Sequence, residues 1–228
     1  MRLNSLGGGW NHFAYVATAL VLGWIGVAGT AQATPIFVPN ASFESPPNVN
    51  GLGGAGPFSG SDWLLYGASG IIGTTLANPS DGVQATFVGT GSAGTAIYQD
   101  LGSLLANTQY TLTVDVVSRN DTSFPGTVGA IQLLNGINNF GTQLAQTTGF
   151  SQPAQNAAFI TESVQYTTGA SVSGDLTIAL VMVTGVQILY DNVRLDGVVV
   201  GAPEPGSLAL LGLGALGVAF FARRRKAM

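Results

Sequence analysis

Gln109-Tyr110-Thr111-Leu112-Thr113-Val114-Asp115-Val116-Val117-Ser118 is the stretch of this 228-residue chain from which the fold is read. Side chains alternate between the two faces of an extended chain, so Tyr110, Leu112, Val114 and Val116 share one face while Thr111, Thr113 and Asp115 share the other. A strand with one packed face and one wetter face belongs to an antiparallel sheet that covers one side of a core. Residues 175–183 alternate as well, with Leu176, Ile178, Leu180 and Met182 on one side and Ala179, Val181 and Val183 on the other. This strand is apolar on both faces and is predicted to be central in its sheet. Residues 83–88, 95–101, 128–134, 159–166 and 186–195 read as further strands, with one or two more near Trp63 and Ile71, and glycine or Asn/Asp clusters punctuate them. No segment between the termini repeats at 3.6 residues. Eight or more short strands with no helix between them predict two packed sheets: an all-β, antiparallel β-sandwich of the jelly-roll kind, spanning residues 34–200. The glycine-rich stretches 50–60 and 89–94 read as loops within that one domain.

Composition agrees with a packed domain. The chain is 46% hydrophobic and 8% charged, with 33 glycines, 10 prolines and no cysteine, which excludes both a disordered polyelectrolyte and a disulfide scaffold. The formal net charge is -4, but the basic residues crowd the ends. Between Thr34 and Val200 ten carboxylates face only Arg119 and Arg194, a net of −8 with no lysine. Nucleic acid is excluded as a partner, since its phosphates bind through Lys and Arg.

The ends read as addresses. Arg2, an apolar run over residues 13–29 and the small residues Ala31 and Ala33 form a secretory signal peptide, residues 1–33, that signal peptidase would cleave after Ala33; the alternative is an uncleaved anchor helix. At the other end Pro203-Glu204-Pro205 precedes an uncharged run over residues 207–222 and the basic cluster Arg223-Arg224-Arg225-Lys226. As a transmembrane helix those residues would cover about 24 Å, short of the roughly 30 Å hydrocarbon core. The positive-inside rule would hold the arginines in the cytoplasm and the domain outside.

This ordering of Pro-Glu-Pro, apolar segment and arginine cluster over residues 201–228 resembles the PEP-CTERM sorting arrangement of Gram-negative bacteria. The resemblance implies processing by an exosortase, with Pro203, Glu204, Pro205, Arg223, Arg224 and Arg225 as the signal it reads. It also implies passage through the inner membrane to the cell surface or extracellular matrix of an exopolysaccharide-producing, biofilm-forming cell. A second resemblance spans the domain: Asn40-Ala41-Ser42-Phe43-Glu44, Trp63, Ile97-Tyr98-Gln99-Asp100-Leu101 and Leu189-Tyr190-Asp191-Asn192-Val193 occur in an order similar to galactose-binding-like carbohydrate-binding modules.

Residue chemistry narrows the function. His12, the only histidine, lies in the signal peptide, so the exported domain has neither the imidazole nor the thiol that a catalytic triad, a Cys-His pair or a His/Cys zinc site needs. Carboxylate-pair glycoside hydrolysis stays open as the enzymatic alternative, requiring two acids facing across a cleft. A membrane-tethered adhesin is another. The primary expectation is a noncatalytic surface or matrix protein with a structural or exopolysaccharide-associated role. By strict alternation Asp191 shares a face with Leu189, Val193 and Leu195, where a lone carboxylate is costly. Either backbone amides or Arg119 compensate it, or it joins Glu44 in the structural calcium site that the module resemblance implies. Arg194 falls on the opposite face, as a surface ion-pairing residue. For sugar binding the available aromatics are Trp63, Tyr66, Phe124 and Phe140; Trp63 is expected in the core. Phe124 and Phe140, near Asn138 in turn-rich sequence, form the expected ligand site.

Overall fold

The computed structural model describes residues 32–47, 62–89 and 94–200, together with Gly212 and Gly214. The expected signal peptide, the Pro203-Glu204-Pro205 motif and the basic cluster lie outside the described residues. Of the expected membrane segment, Gly212 and Gly214 are described, and both are helical. Twelve strands follow in order: β1 (Thr34–Ile36), β2 (Leu64–Tyr66), β3 (Ser69–Gly73), β4 (Gln84–Val88), β5 (Ala96–Ser103), β6 (Thr108–Val116), β7 (Val128–Asn135), β8 (Thr142–Gln146), β9 (Phe150–Ser151), β10 (Ile160–Thr167), β11 (Asp175–Thr184) and β12 (Ile188–Val199). Between β7 and β8 lies a 3-10 turn, Asn138–Phe140.

The strands form two antiparallel sheets. The first runs β10-β6-β12-β4-β3 with β1 added to β12; the second runs β2-β5-β11-β7-β8 with β9 added to β7. From β4 to β7, and again from β10 to β12, successive strands change sheet, which is the jelly-roll arrangement. The alternation in β6 has the predicted consequence: Tyr110, Leu112, Val114 and Val116 enter the core between the sheets. β11 lies between β5 and β7, the central place that its double apolarity predicts: Leu176, Ile178, Leu180 and Met182 enter the core, while on the outer face Ala179 is buried and Val183 is exposed. The core also takes Phe43, Trp63, Ile131, Leu133, Tyr190, Val193 and Leu195. A smaller cluster of Ile72, Ala77, Ala85, Phe87, Val117 and Leu189 packs on the outer side of the first sheet.

β12 departs from strict alternation. Its register against β6 shifts between Asp191 and Arg194, and Asn192 sits at φ 48 in the left-handed region. The extra residue is a β-bulge, and a bulge reverses the facing of everything after it. Tyr190, Val193 and Leu195 therefore all point into the core, while Asp191 and Leu189 point outward. The expectation that Asp191 shares a face with Val193 and Leu195 fails for this reason. So does the placement of Arg194 on the opposite face: beyond the bulge it reaches the same outer side as Asp191.

Candidate functional site

Two arrangements gather the residues singled out from sequence. The first is a joint between the opening segment 40–46 and β12. Asn40 and Phe43 both have positive φ, and the turn is closed by Phe43 N–H donating to Asn40 O (3.1 Å). Phe43 is fully buried and packs at 5.2 Å from the Trp63 ring, whose Nε1 donates to Asn40 O. Trp63 is thus a core residue with its polar edge satisfied. Val193 N–H donates to Ala41 O at 3.0 Å, so the segments that open and close the domain touch.

The turn leading into β4 is caught between two carboxylates. Asp191 Oδ2 accepts Ser80 N–H at 2.7 Å, Ser80 Oγ at 3.1 Å and Asp81 N–H at 2.9 Å, while Oδ1 accepts Asn192 N–H at 2.7 Å. Glu44 Oε1 accepts Val83 N–H and Gln84 N–H, each at 2.8 Å. Ser42 Oγ ties the same turn through Asp81 at 2.5 Å. Gly82, at φ +67, leaves the space that Glu44 occupies. Burial pushes the Asp191 carboxyl up to about 6, against the pull of its backbone donors.

Backbone amides therefore compensate Asp191, and Arg119 does not. Arg119 instead grips Asp121 through Nε and Nη2, both at 2.7 Å, and bonds Gln187 at 2.6 Å. The calcium expectation at Glu44 and Asp191 meets a poor donor set, because N–H groups already aim their positive ends at these oxygens. Among the described residues no group of three or more acids or histidines could hold a metal ion.

Asp115 lies directly opposite Asp191 across β6 and β12. It is buried and takes a two-pronged ion pair from Arg194 at 2.9 and 3.2 Å, with Thr161 and Asn192 on the remaining lone pairs. Burial alone would raise its carboxyl, but the Arg194 and Thr161 hydrogen bonds and the Arg194 charge outweigh burial and hold it below the ordinary range. Arg194 thus anchors a buried carboxylate rather than an exposed one. Neither acid of this pair presents a free oxygen to a substrate, so the two do not form the open cleft that glycoside hydrolysis requires.

The expected loop site is not one site. Phe124 precedes β7 and lies under the Arg119 guanidinium, 5.6 Å from the ring centroid. Phe140 and Asn138 follow β7, whose eight residues separate the two ends by roughly 23 Å. Asn138 N–H donates to Asp100 Oδ1 at 3.0 Å, and Phe140 is exposed.

The second arrangement is the outer face of the second sheet. Registers place Leu64, Tyr98, Ala179, Gln132 and Gln146 in one row across β2, β5, β11, β7 and β8. Tyr66, Ala96, Val181 and Ala130 form the next row. Ala130 and Ala179 are buried, a small-residue floor between taller neighbours. Tyr66 is exposed, and Tyr98 is half-buried with its hydroxyl raised by burial and by Tyr66. Gln132 Nε2 donates to Gln146 Oε1, which leaves Gln132 Oε1 and the Gln146 amide for an external partner. Tyr98, Gln132 and Gln146 were missed from sequence, although alternation in 95–101 already turned Tyr98 away from the buried Ile97.

Among solved structures, the CBM22-1 xylan-binding domain of Paenibacillus barcinonensis Xyn10C matches with 13% identity over 75% of this chain and 99% of that one, at a TM-score of 0.50. The CBM22-1-CBM22-2 tandem domain of the same protein matches with 14% identity over 79% of this chain and 50% of that one, also at 0.50. These likenesses concern the fold: the chain is a β-sandwich of the carbohydrate-binding-module kind. Residues 34–196 match the HpiC1-like family, described as HpiC1 cyclase, and the chain belongs to that family. Residues 202–226 match the PEP-CTERM protein-sorting motif, which marks an exported protein. No curated protein matches the chain.

Proposed function

We propose that this is a noncatalytic glycan-binding protein, delivered by its C-terminal signal through the inner membrane and exosortase processing to the cell surface or extracellular matrix. The observation that carries the reading is the row of Tyr98, Ala179, Gln132 and Gln146 across the second sheet. A sugar ring stacks on an aromatic face, and its hydroxyls require donors and acceptors beside it. Tyr98 and Tyr66 supply the first and the two glutamines the second, beside the small buried Ala96, Ala130 and Ala179. The row crosses four strands, about 14 Å at the usual strand spacing, which suits an oligosaccharide better than a single ring. The net charge of −8 between Thr34 and Val200 favours neutral glycans over uronates. A glycan array with the full chain tests this. Binding to neutral polysaccharides that Tyr98→Ala and Gln132→Ala each weaken at least tenfold is expected, and unchanged binding in both would refute it.

Membership in a family named for a cyclase favours a second reading, catalysis. The acid it would employ is Glu162, on the same face of edge strand β10 as the buried Val164 and raised by burial. Chromatographic conversion of a ligand by the wild-type chain and not by Glu162→Gln would select that reading.

A further inference from the structure

We infer that one end of the sandwich, carrying Leu105, Ile137, Phe140 and Val199, rests on the lipid bilayer while the chain is held by its C-terminal segment. Hydrogen bonds weld the loops at this end together. Val200 N–H donates to Asn107 O, Asn107 N–H to Gly169 O, Leu104 N–H to Gly174 O and Gly136 N–H to Asp175 O, and Asn135 Nδ2 donates to Ser173 O. Residues 104–107, 136–141 and 168–174 contain no charged side chain; the two carboxylates beside them, Asp100 and Asp175, accept Asn138 N–H and Ser103 Oγ. Apolar side chains stand out from them: Leu105 is 57%, Ile137 53% and Phe140 87% exposed, and Val199 at the end of β12 is 64% exposed. The opposite end is different. There, residues 74–83 and 117–127 carry Asp81, Arg119 and Asp121 beside the exposed Val83, Val183 and Val186, so charge, rather than apolar exposure as such, sets it apart.

The tether selects between the ends. Val200 leaves the domain beside Asn107, and six residues, 201–206, precede the uncharged run 207–222. Even fully extended they reach only about 20 Å, so the end carrying Phe140 is held within that distance of the membrane and the opposite end is not. Exposed apolar side chains gathered at one end of a domain suit an interaction surface, and the aromatic Phe140 beside polar loop residues suits the interfacial zone of a bilayer. The inference rests on the sorting reading, because without an inserted segment nothing holds the end there.

The chain has no cysteine, so single labelling sites are clean. Phe140→Cys, Ser123→Cys at the opposite end and Gly217→Cys in the C-terminal run are each labelled with an environment-sensitive fluorophore. The full chains are then reconstituted into phosphatidylcholine vesicles with and without nitroxide-labelled lipid. Quenching at Phe140→Cys severalfold above that at Ser123→Cys, with Gly217→Cys quenched most, is expected. Replacing Ile137 and Leu105 by serine should reduce the Phe140→Cys signal. Quenching at Gly217→Cys alone, or a blue shift at Phe140→Cys without quenching, which reports a protein neighbour, overturns docking and leaves the sorting reading intact. No quenching at Gly217→Cys overturns both.

Discussion

Asp191→Asn should flatten the pH dependence of folding between pH 7 and pH 5. In the folded chain burial lifts this carboxyl to about 6 from its ordinary 3.8, so the native state binds a proton that the unfolded state does not. Stability attributable to the group is therefore gained as pH falls through 6 and lost as pH rises, opposite to the behaviour of an ion-paired aspartate. Applying the linkage relation to those two values gives about 1.3 kcal/mol more stability at pH 5 than at pH 7, which in a domain of this size moves the melting temperature by about 3–5 °C. Asparagine removes the charge but keeps an oxygen for Ser80 and Asp81. Glu162, also raised by burial, adds to the trend in both proteins, so the informative quantity is the difference between them. Urea unfolding followed by circular dichroism at the two pH values measures it. Asp115 and Asp121, both held low, stay ionised in this window and lose their contribution only as pH falls toward and below their ordinary value. Parallel pH responses in wild type and variant would show that the four donors around Asp191 cancel its desolvation, and the reasoning would fail.

Gly82→Ala should destabilise the domain by about 2 kcal/mol, from a side chain forced to positive φ and the displacement of Glu44, with no loss of secondary structure by circular dichroism. If amides rather than a cation compensate Glu44 and Asp191, a chelator leaves the melting temperature unchanged; a fall of several degrees that calcium reverses would restore the metal reading. Replacing Glu204 should block C-terminal processing while leaving the melting temperature alone, read as retained full-length mass in membrane fractions. Removing Arg223 to Lys226 should impair retention and orientation in the same assay.

The parts of the fold legible in the sequence were those where a single strand carries its own information. Gln109 to Ser118 states its buried face by alternation, and the doubly apolar β11 states its central place. β12 was misread at one residue: Asn192 adopts a left-handed conformation, and nothing in a period-two pattern announces the extra residue that turns Val193 inward. The segments containing Glu44 and Asp191 were recognised, but their common role in clasping residues 80–84 depends on a turn more than 100 positions away from Asp191. The row proposed to bind glycan was hidden for a related reason. Tyr98, Ala179, Gln132 and Gln146 are unremarkable within their own segments and become a surface only through the registers of four strands. Phe124 and Phe140 were grouped because both lie in polar turns, and the length of β7 between them keeps them apart.

Hydrogen exchange of the full chain, with and without a neutral oligosaccharide selected on the array, tests the binding face most directly. Ligand-induced protection concentrated in Leu64–Tyr66, Ala96–Ser103 and Val128–Asn135, extending into Thr142–Gln146, is the predicted result. Protection confined to residues 117–127 or 136–141, with the second sheet unchanged, would contradict it.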